Sequence, residues 1–300
     1  MQQVKKAVIT AAGLGTRLLP ATKELPKEML PLFTVTDDGI GLKPVVQIIF
    51  ELLYEAGFRE FCFIVGRGKR ILEDHFTPDI NFLRILELRG FSNRAKSLIK
   101  FYNIINESRI FFINQPEPRG FGHAVLCAEP FVGAEPFLLH AGDDVIVSDG
   151  CTHINRMIRA FQEYDADCVF LVEEVEDPRA YGVIVGKAID DLGHVLDVNG
   201  IVEKPKDPPS NLAVVAVYIF KPKIFDYLRK VQPDEHGEIQ LTDAIRLMIE
   251  DGCKVLAVKL LPNEKRLDVG TPEKYWQALV QSHEYAIKRL LLKKSTVAST

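Results

Sequence analysis

The sequence predicts an α/β fold built on a doubly wound, mostly parallel β-sheet. Short apolar runs alternate along the chain with longer segments of helical periodicity, which is the pattern of strands connected by helices. Two of these runs lead directly into loops rich in glycine or aspartate. With 300 residues, of which 47% are hydrophobic and 26% charged, the chain is long enough for one large domain or two closely joined parts.

The first half of the chain supplies the predicted parallel strands, at residues 7–11, 61–65, 110–113 and 136–141. Residues 44–56 carry apolar side chains at helical spacing and stop at Gly57, so they predict a helix between the first two strands. Residues 81–101 are helical and charged, and this stretch is longer than a minimal connection between parallel strands requires.

The second half of the chain predicts antiparallel or mixed pairing. Short turns such as residues 191–193 join several of its strands, which are expected at 168–173, 183–185, 195–203, 214–220 and 254–260. Helices are expected at 154–161, at 239–250 and from 272 to about 292. Pro272 suits the first turn of the last helix.

Charge, cysteine usage and the N-terminus exclude several classes of protein. Lys and Arg number 37 against 41 Asp and Glu, a net charge of −4, which disfavours a general nucleic-acid binder. The five cysteines are scattered without a C-x-x-C pair, so we expect reduced thiols rather than a zinc or redox motif. The N-terminal apolar run is too short for a signal peptide, and no run of 18 apolar residues occurs. We therefore expect a cytoplasmic protein with no membrane partner.

The segment with the clearest chemical pattern is residues 11–31, AAGLGTRLLPATKELPKEMLP. Gly13 and Gly15 follow a predicted strand, as in the G-x-G-x-x-G loop of dinucleotide-binding proteins. Position 18 is leucine rather than a third glycine, and Pro20 interrupts the helix that such a site needs. An NAD-dependent dehydrogenase is therefore the weakest interpretation.

The same segment instead predicts a loop that wraps a phosphate chain with its backbone N–H groups. Arg17, Lys23 and Lys27 are spaced to reach several phosphate oxygens, and the arginine can bind two oxygens at once. A second glycine-rich stretch, residues 66–70 (GRGKR), lacks P-loop spacing. We expect that stretch to be an exposed loop rather than a phosphate site.

Two aspartates far apart in the sequence predict a metal site. Asp143 follows a buried strand and Asp268 follows the short strand-like residues 265–267. Ligands of α/β sheets bind at the carboxyl ends of strands, and Mg²⁺ prefers one or two carboxylates together with phosphate oxygens. Taken singly, each aspartate is better explained as an ordinary turn residue. The adjacent Asp144 is expected to support the site rather than to bind the ion.

Residues 11–31 resemble the signature of the sugar-1-phosphate nucleotidyltransferases, and KEMLP at 27–31 is similar to the bacterial and archaeal UTP–glucose-1-phosphate uridylyltransferase branch. Further matches follow in the same order, at 115–120, 141–144, 181–183, 202–205, 237–243 and 267–271. The resemblance implies a Rossmann-like sheet with a smaller mixed-sheet sugar-binding lobe and a C-terminal helix. Residues 34–42 are longer than the family leads us to expect, which leaves the geometry of that loop open.

The resemblance also implies the reaction. A uridylyl group would pass from UTP to α-D-glucose 1-phosphate, giving UDP-glucose and pyrophosphate, with Mg²⁺ as cofactor. Within a single domain, 1–300, residues 1–149 would mainly bind the nucleotide, and residues 150–270 would mainly bind the sugar and supply the second metal ligand. Residues 271–300 would form the C-terminal helix. The alternatives are a thymidylyltransferase for the same sugar and a non-catalytic scaffold member of the family.

Each implied role falls on residues present in this sequence. Catalytic charge neutralisation is implied for Arg17, Lys27 and Lys204, and metal binding for Asp143 and Asp268. The nucleotide would be bound by Ala12, Gly13, Gly15, Glu28, Gln115 and Gly120. The sugar would be bound by Tyr181, Gly182, Glu203 and Val214. An amide such as that of Gln115 suits a pyrimidine edge, although a surface amide at a strand end explains it equally well. A scaffold has no need of this charged set.

The closing helix carries an apolar face that is broader than a solvent-facing tail needs. That face consists of Trp276, Leu279, Val280, Ile287, Leu290 and Leu291. It either packs on its own domain or forms a contact in a homodimer or homotetramer, and the resemblance favours an oligomer.

Overall fold

The computed structural model describes residues 3–298 of the chain, and the side chains of residues 3–292. The strands are β1 (Lys6–Ala11), β2 (Pro31–Thr36), β3 (Gly39–Pro44), β4 (Glu60–Val65), β5 (Arg109–Asn114), β6 (Phe137–Ala141), β7 (Asp144–Val147), β8 (Cys168–Glu174), β9 (Gly182–Ala188), β10 (Val195–Glu203), β11 (Leu212–Phe220), β12 (Val255–Lys259) and β13 (Lys265–Asp268). The α-helices are α1 (Val45–Glu55), α2 (Arg70–His75), α3 (Ile80–Leu88), α4 (Ser92–Asn106), α5 (Phe121–Cys127), α6 (Glu129–Val132), α7 (Thr152–Glu163), α8 (Ile224–Lys230), α9 (Leu241–Glu250) and α10 (Pro272–Ala298).

Nine strands form one mixed sheet in the order β5-β4-β1-β6-β11-β8-β12-β10-β9. The first four strands of that order are parallel to one another, which confirms the Rossmann-like part of the prediction. The strands of the second half of the chain pair mostly antiparallel, and β11 joins them to β6. The strands of the second half of the chain, for which the sequence predicts antiparallel or mixed pairing, therefore extend the same sheet.

Both faces of the sheet are covered, as a doubly wound fold requires. Along β1 the buried side chains alternate, so that Ile9 belongs to one hydrophobic cluster and Val8 to the other. The first cluster includes residues of α1, α4 and α7, and the second includes residues of α5, α8 and α9. Burial of the central strands on both sides explains why the sequence reads there as continuous apolar runs.

The predicted helical stretch at 81–101 is two helices. Helix α3 ends at Leu88, and the chain turns at Gly90, whose φ of 78° lies in the left-handed region that glycine adopts without strain. The amide of Phe91 then donates to the carbonyl of Leu86, which closes the helix end before α4 begins. The sequence also leaves the short helices α5 and α8 unassigned.

Residues 34–42 lie in the β-hairpin β2–β3, which answers the question that the sequence leaves open. Its register runs from Pro31 opposite Pro44 to Thr36 opposite Gly39. Helix α10 packs on this hairpin, since the Ser282 hydroxyl accepts a hydrogen bond from the Phe33 amide at 3.2 Å.

The apolar face predicted for the last helix is divided between core and solvent. On α10 the buried side chains are Ala278, Ser282 and Ala286, and Leu279 packs against the core. Other members of the predicted face are exposed, and Trp276 has 67% of its surface accessible. Although α10 has 27 residues, neither it nor another helix within residues 3–298 is apolar enough to cross a membrane.

Candidate active site

A cavity of about 590 Å³ opens where the parallel strands β5, β1 and β6 end. All fifteen residues to which the resemblance assigns a role line it: Ala12, Gly13, Gly15, Arg17, Lys27, Glu28, Gln115, Gly120, Asp143, Tyr181, Gly182, Glu203, Lys204, Val214 and Asp268. The fold therefore brings residues of both halves of the chain to one place. What each of them does there stays a prediction.

The glycine-rich loop after β1 forms one wall of the cavity. It turns at Gly15, whose φ is 66° and whose carbonyl accepts a hydrogen bond from the Thr22 hydroxyl at 2.7 Å. A short 3-10 turn follows and directs Arg17 toward the cavity. Lys23 instead lies at the surface near Glu24 and does not line the cavity. The expectation that all three basic residues of the loop reach phosphate is therefore not met for Lys23.

Asp143 and Lys27 form an ion pair at the floor of the cavity. The Lys27 ammonium donates to the Asp143 carboxylate at 2.5 Å, and both side chains are largely buried. Burial alone would raise the pKa of the carboxyl, but the adjacent lysine outweighs it and holds the pKa of Asp143 below its ordinary value. Burial likewise opposes the charge on Lys27, and Asp143 keeps the pKa of that lysine above its ordinary value.

Asp144, the next residue, also lines the cavity and is paired with Arg266 in a largely buried network. The guanidinium of Arg266 contacts both carboxylate oxygens of Asp144 at 2.7–2.9 Å and donates to Glu173 at 2.6 Å. Strands β7 and β13 pair antiparallel, with Asp144 opposite Asp268. Arg266 thus fixes the strand that carries the second predicted metal ligand, which fits the supporting position expected for Asp144.

Asp268 is held by a second lysine. Lys274, in the first turn of α10, donates to the Asp268 carboxylate at 2.5 Å and to the Tyr181 hydroxyl at 2.7 Å. The Gly270 amide donates to the other carboxylate oxygen at 2.7 Å. Burial lowers the pKa of Lys274, but its hydrogen bond to Asp268 prevails, so the pKa lies above its ordinary value.

The two predicted metal ligands lie on adjoining backbone. The Val269 amide donates to the Asp143 carbonyl at 3.2 Å, so the segments carrying Asp143 and Asp268 are hydrogen-bonded to each other. Within residues 3–298 no group of three or more His, Cys, Asp or Glu side chains could hold a metal ion by itself. A pair of carboxylates facing a cavity with room for phosphate oxygens fits a divalent cation of the Mg²⁺ type.

The loop after β5 lines one end of the cavity and contributes the side-chain amide of Gln115. Gln115 is buried, and its side-chain nitrogen lies 3.1 Å from the Gly120 carbonyl and 2.9 Å from His123 Nδ1. Gly120 has a φ of 91°, and a Cβ there would lie 2.8 Å from the Ile239 carbonyl oxygen. Only glycine fits this close approach of two loops. His123 belongs to the histidines that the sequence treats as structural, and it contacts a predicted binding residue.

Glu28 lies between the loops after β1, β4 and β6, and its carboxylate is almost fully buried. The Lys69 ammonium donates to it at 2.8 Å. Lys69 belongs to the stretch 66–70, which the sequence predicts to be an exposed loop. That prediction is wrong for Lys69, because burying an unpaired glutamate would be costly and the lysine is drawn inward to pair with it.

A further part of the cavity wall is formed by residues of β9, β10 and α9. The Thr242 hydroxyl donates to the Glu203 carboxylate at 2.5 Å. Lys204 follows with a φ of 41°, and its amide donates to the Tyr181 carbonyl at 3.0 Å. This backbone bond holds Lys204 at the mouth of the cavity, where its ammonium lies 3.1 Å from Glu203. Gly182 leaves space between Glu203 and Val214.

Several residues that line the cavity escape sequence reasoning. Among them are Arg266, Lys274 and Tyr218. Arg266 and Lys274 flank Asp268 closely in the sequence, so their charge next to a predicted metal ligand is a usable signal. Tyr218 carries no such signal, because only the packing of β11 brings it to the cavity. Thr242 lies in the matching stretch 237–243, for which the sequence implies no role.

Residues 6–284 of the chain match the Nucleotidyl transferase family. The chain is 40% identical over 280 residues to UTP–glucose-1-phosphate uridylyltransferase of Pseudomonas aeruginosa strain PAO1, covering 92% of this chain and 94% of that protein. It is also 40% identical over 274 residues to UTP–glucose-1-phosphate uridylyltransferase of Bacillus subtilis strain 168, covering 90% and 88% of the two chains.

Solved structures are similar over nearly the whole chain. An apo UDP-glucose pyrophosphorylase superposes with a TM-score of 0.83 at 36% identity, covering 96% of this chain and all of that one. A UTP-bound UGPase from Acinetobacter baumannii superposes with a TM-score of 0.79 at 32% identity, covering 97% and 99% of the two chains.

Proposed function

This chain belongs to the nucleotidyl transferase family, and from that premise we propose that it transfers a uridylyl group from UTP to α-D-glucose 1-phosphate, giving UDP-glucose and pyrophosphate. The observation that carries the proposal is the single cavity in which Asp143 and Asp268 converge with Arg17, Lys27 and Lys204. Two carboxylates among three cations suit a reaction between two phosphate groups. The names of the relatives at 36–40% identity supply the nucleotide and the sugar.

The reaction requires positioning rather than a general base. The phosphate of a sugar 1-phosphate is mostly dianionic near neutral pH, with a second pKa of about 6, so it is already a nucleophile. Lys204 holds it for in-line attack on the α-phosphorus, the P–O bond to the β-phosphate breaks, and pyrophosphate leaves on the opposite side. Arg17 and Lys27 neutralise the charge that develops on the departing phosphates.

A divalent metal is generally used by nucleotidyltransferases of this kind, and we propose Mg²⁺ here. Asp143 and Asp268 are the residues that would hold it, and when bound it would neutralise negative charge on the phosphate oxygens. Lys27 and Lys274 donate hydrogen bonds to those two carboxylates. Release of Lys27 from Asp143 would free its ammonium for the phosphates.

The two ends of the cavity are assigned to the two substrates. Gln115 and Gly120, assisted by Ala12, Gly13 and Glu28, would bind the uracil, with Gly15 in the phosphate loop. Tyr181, Gly182, Glu203 and Val214 would bind the glucose. This assignment follows the division into residues 1–149 for the nucleotide and 150–270 for the sugar. A buried amide and a glutamate hydrogen-bonded to Thr242 are suited to a base edge and to sugar hydroxyls, respectively.

The test of the reaction is release of pyrophosphate by the purified protein. UTP, glucose 1-phosphate and Mg²⁺ should all be required, and UDP-glucose should accumulate in equal amount. Replacing UTP by dTTP tests the thymidylyltransferase alternative, for which a structure at 22% identity and a TM-score of 0.66 indicates a shared fold alone. Absence of turnover with either nucleotide would restore the scaffold interpretation.

We also propose that the chain forms a homodimer or homotetramer through α10. The exposed side chains of Trp276, Val280, Ile287 and Leu291 form an apolar surface on a helix whose other side is already packed. Light scattering should give a mass of at least twice the 33.8 kDa of one chain at micromolar concentration. A monomer at that concentration would refute the proposal. The cytoplasm stays the predicted compartment.

A further inference from the structure

The loop after β4 contributes a lysine that stands behind the cavity rather than in its wall. Lys69 Nζ donates to Glu28 Oε2 at 2.8 Å, with only 10% of the lysine side chain and 1% of the glutamate side chain exposed. Glu28 lines the cavity, whereas Lys69 does not. Within the described part of the chain, this is the one hydrogen bond to the Glu28 carboxylate. Lys69 can therefore influence a ligand only through Glu28.

The sheet order places this pair beneath the end of the cavity assigned to the base. Strand β4 lies between β5, which leads into Gln115, and β1, which leads into Ala12. The Gln115 amide donates to the Val65 carbonyl at 2.7 Å. On the other side, a Cβ on Gly66 would lie 2.9 Å from the Ala12 carbonyl oxygen. The loop that carries Lys69 thus starts between the backbones of two predicted base-binding residues.

The chemistry of the pair suits one edge of a pyrimidine. A charged carboxylate only accepts hydrogen bonds, whereas a neutral carboxylic acid also donates one. Burial raises the pKa of Glu28, with Asp143 adding to it, and Lys69 and Lys27 oppose that effect. Uracil and thymine present an N–H donor at N3, and cytosine presents a lone pair there. A buried carboxylate therefore attracts the first two bases and repels the third.

We propose that Lys69 is a positioning residue for nucleotide choice, which fixes the Glu28 carboxylate as the acceptor for the N3–H edge shared by UTP and dTTP and lacking in CTP. The inference rests on the proposed function, because it takes the Gln115 end of the cavity to be the base site. It predicts that loss of Lys69 reduces the preference for UTP over CTP and leaves the relative affinities of UTP and dTTP unchanged.

The experiment is calorimetric binding of UTP, dTTP and CTP to the full-length protein in the presence of Mg²⁺. Lys69→Met removes the charge while keeping most of the length of the side chain. We expect UTP and dTTP each to bind at least about tenfold more weakly, as follows from losing a charge-assisted hydrogen bond in a polar site. The affinity for CTP should change much less, so the preference for UTP over CTP should narrow by a similar factor.

Three further variants distinguish a role of Lys69 in positioning the Glu28 carboxylate from a role in stabilising the fold alone. Lys69→Arg keeps the charge and should recover most of the preference for UTP. Arg70→Met removes an exposed cation from the next position, at the start of α2, and should leave the affinities for all three nucleotides unchanged. In the Lys69→Met background, Glu28→Gln should cause little further loss, because the two residues act as one unit. Additive losses would contradict the proposal.

Thermal melting controls for folding. If Lys69→Met does not fold, the double variant Lys69→Gln with Glu28→Gln keeps a neutral hydrogen-bonded pair, and the same narrowing is expected of it. Equal weakening for all three nucleotides, or an unchanged ratio of UTP to CTP affinity, would overturn the proposal. Because binding needs no turnover, a protein that prefers UTP over CTP but makes no UDP-glucose would refute the proposed function alone.

Discussion

At the residue scale, a substitution of Asp268 tests whether its negative charge is required for the proposed metal site while the fold does not depend on it. Asp268→Asn keeps the shape of the side chain but removes an anionic ligand. Turnover should fall by a factor on the order of 10²–10³, as when a key electrostatic contact is removed. Folding should survive, because Lys274 and Arg266 keep other partners. Turnover against Mg²⁺ concentration measures the effect, with thermal melting as the control. Near-normal turnover with unchanged Mg²⁺ dependence would make Asp268 an ordinary turn residue.

For Lys274, in contrast to Asp268, we expect a substitution to strengthen metal binding. Its ammonium lies 2.5 Å from the Asp268 carboxylate, and we expect it to compete there with a divalent cation. Lys274→Met should therefore strengthen Mn²⁺ binding to the nucleotide-free protein by about fivefold or more, since a unit charge about 4 Å away is worth at least about 1 kcal/mol. Lys288→Met removes an exposed cation from the same helix and is the matched control. Weaker Mn²⁺ binding in Lys274→Met would mean that the lysine organises the site for the metal.

The residues of the site were more predictable than their contacts. Asp143 and Asp268 are identifiable because each follows a predicted strand, and Lys27 because it is a basic residue of the glycine-rich segment 11–31. That each carboxylate is paired with a lysine could not be predicted, because Lys274 reaches Asp268 only through the placement of α10. For a related reason, the sequence wrongly predicts an exposed side chain for Lys69. A glycine-flanked basic stretch is usually solvated, and nothing local indicates a buried glutamate 41 residues earlier in the chain.

At the scale of elements, the close approach of two loops at Gly120 can be tested. The loop from Gln115 to Gly120 is bound to the segment before α9, where the Ile239 amide donates to the Arg119 carbonyl at 2.8 Å. Gly120→Ala combines a positive φ with a Cβ 2.8 Å from a carbonyl oxygen, so the loops must separate. The unfolding free energy should fall by about 1–3 kcal/mol and UTP should bind more weakly.

Gly200→Ala is the matched control, because that glycine lies in β10 with open space around its Cβ position and without a positive φ. Urea unfolding and UTP titration of both variants measure the difference. If Gly120→Ala bound UTP normally, the loop pairing would not shape the base end of the cavity.

Except for β9, of which only residues 183–185 are predicted, the strands of the nine-stranded sheet are predicted to within two residues at each end, since most are buried on both faces and read as apolar runs. The hairpin β2–β3 is not, because it is half-exposed and its turn residues Asp37 and Asp38 resemble those of any loop. Tertiary contacts stabilise it as a pair of strands, namely its packing under α10 and the ion pair of Asp37 with Lys100 of α4. That one sheet spans both halves of the chain also lay beyond local patterns, since β11 pairs with β6 across 70 residues of sequence.

For the whole molecule, buried histidines predict a loss of stability in mild acid. Burial lowers the pKa of His153 to about 3 and the pKa values of His140 and His75 to about 4, against about 6.5 in the unfolded chain. The unfolded state therefore binds more protons below pH 6.5. The contribution of these residues to stability is complete above that pH and is lost as the pH falls toward 4. Each histidine can withdraw up to about 1.4 kcal/mol of unfolding free energy per pH unit.

A substitution of His153 measures the contribution of one buried histidine to the pH dependence of the unfolding free energy. Its Nδ1 lies 2.7 Å from the Ser148 hydroxyl, and its Nε2 is buried without a hydrogen-bond partner among the described residues. His153→Phe fills similar space with a ring that takes up no proton. Between pH 6.5 and 5, the slope of unfolding free energy against pH should therefore decrease by up to about 1.4 kcal/mol per unit, with the largest decrease near pH 5, whatever the variant loses in absolute stability. Urea unfolding at several pH values measures the slope, and His236→Phe, at an exposed histidine, should leave it unchanged. Parallel curves for wild type and His153→Phe would mean that His153 takes up its proton as readily in the folded protein as in the unfolded chain.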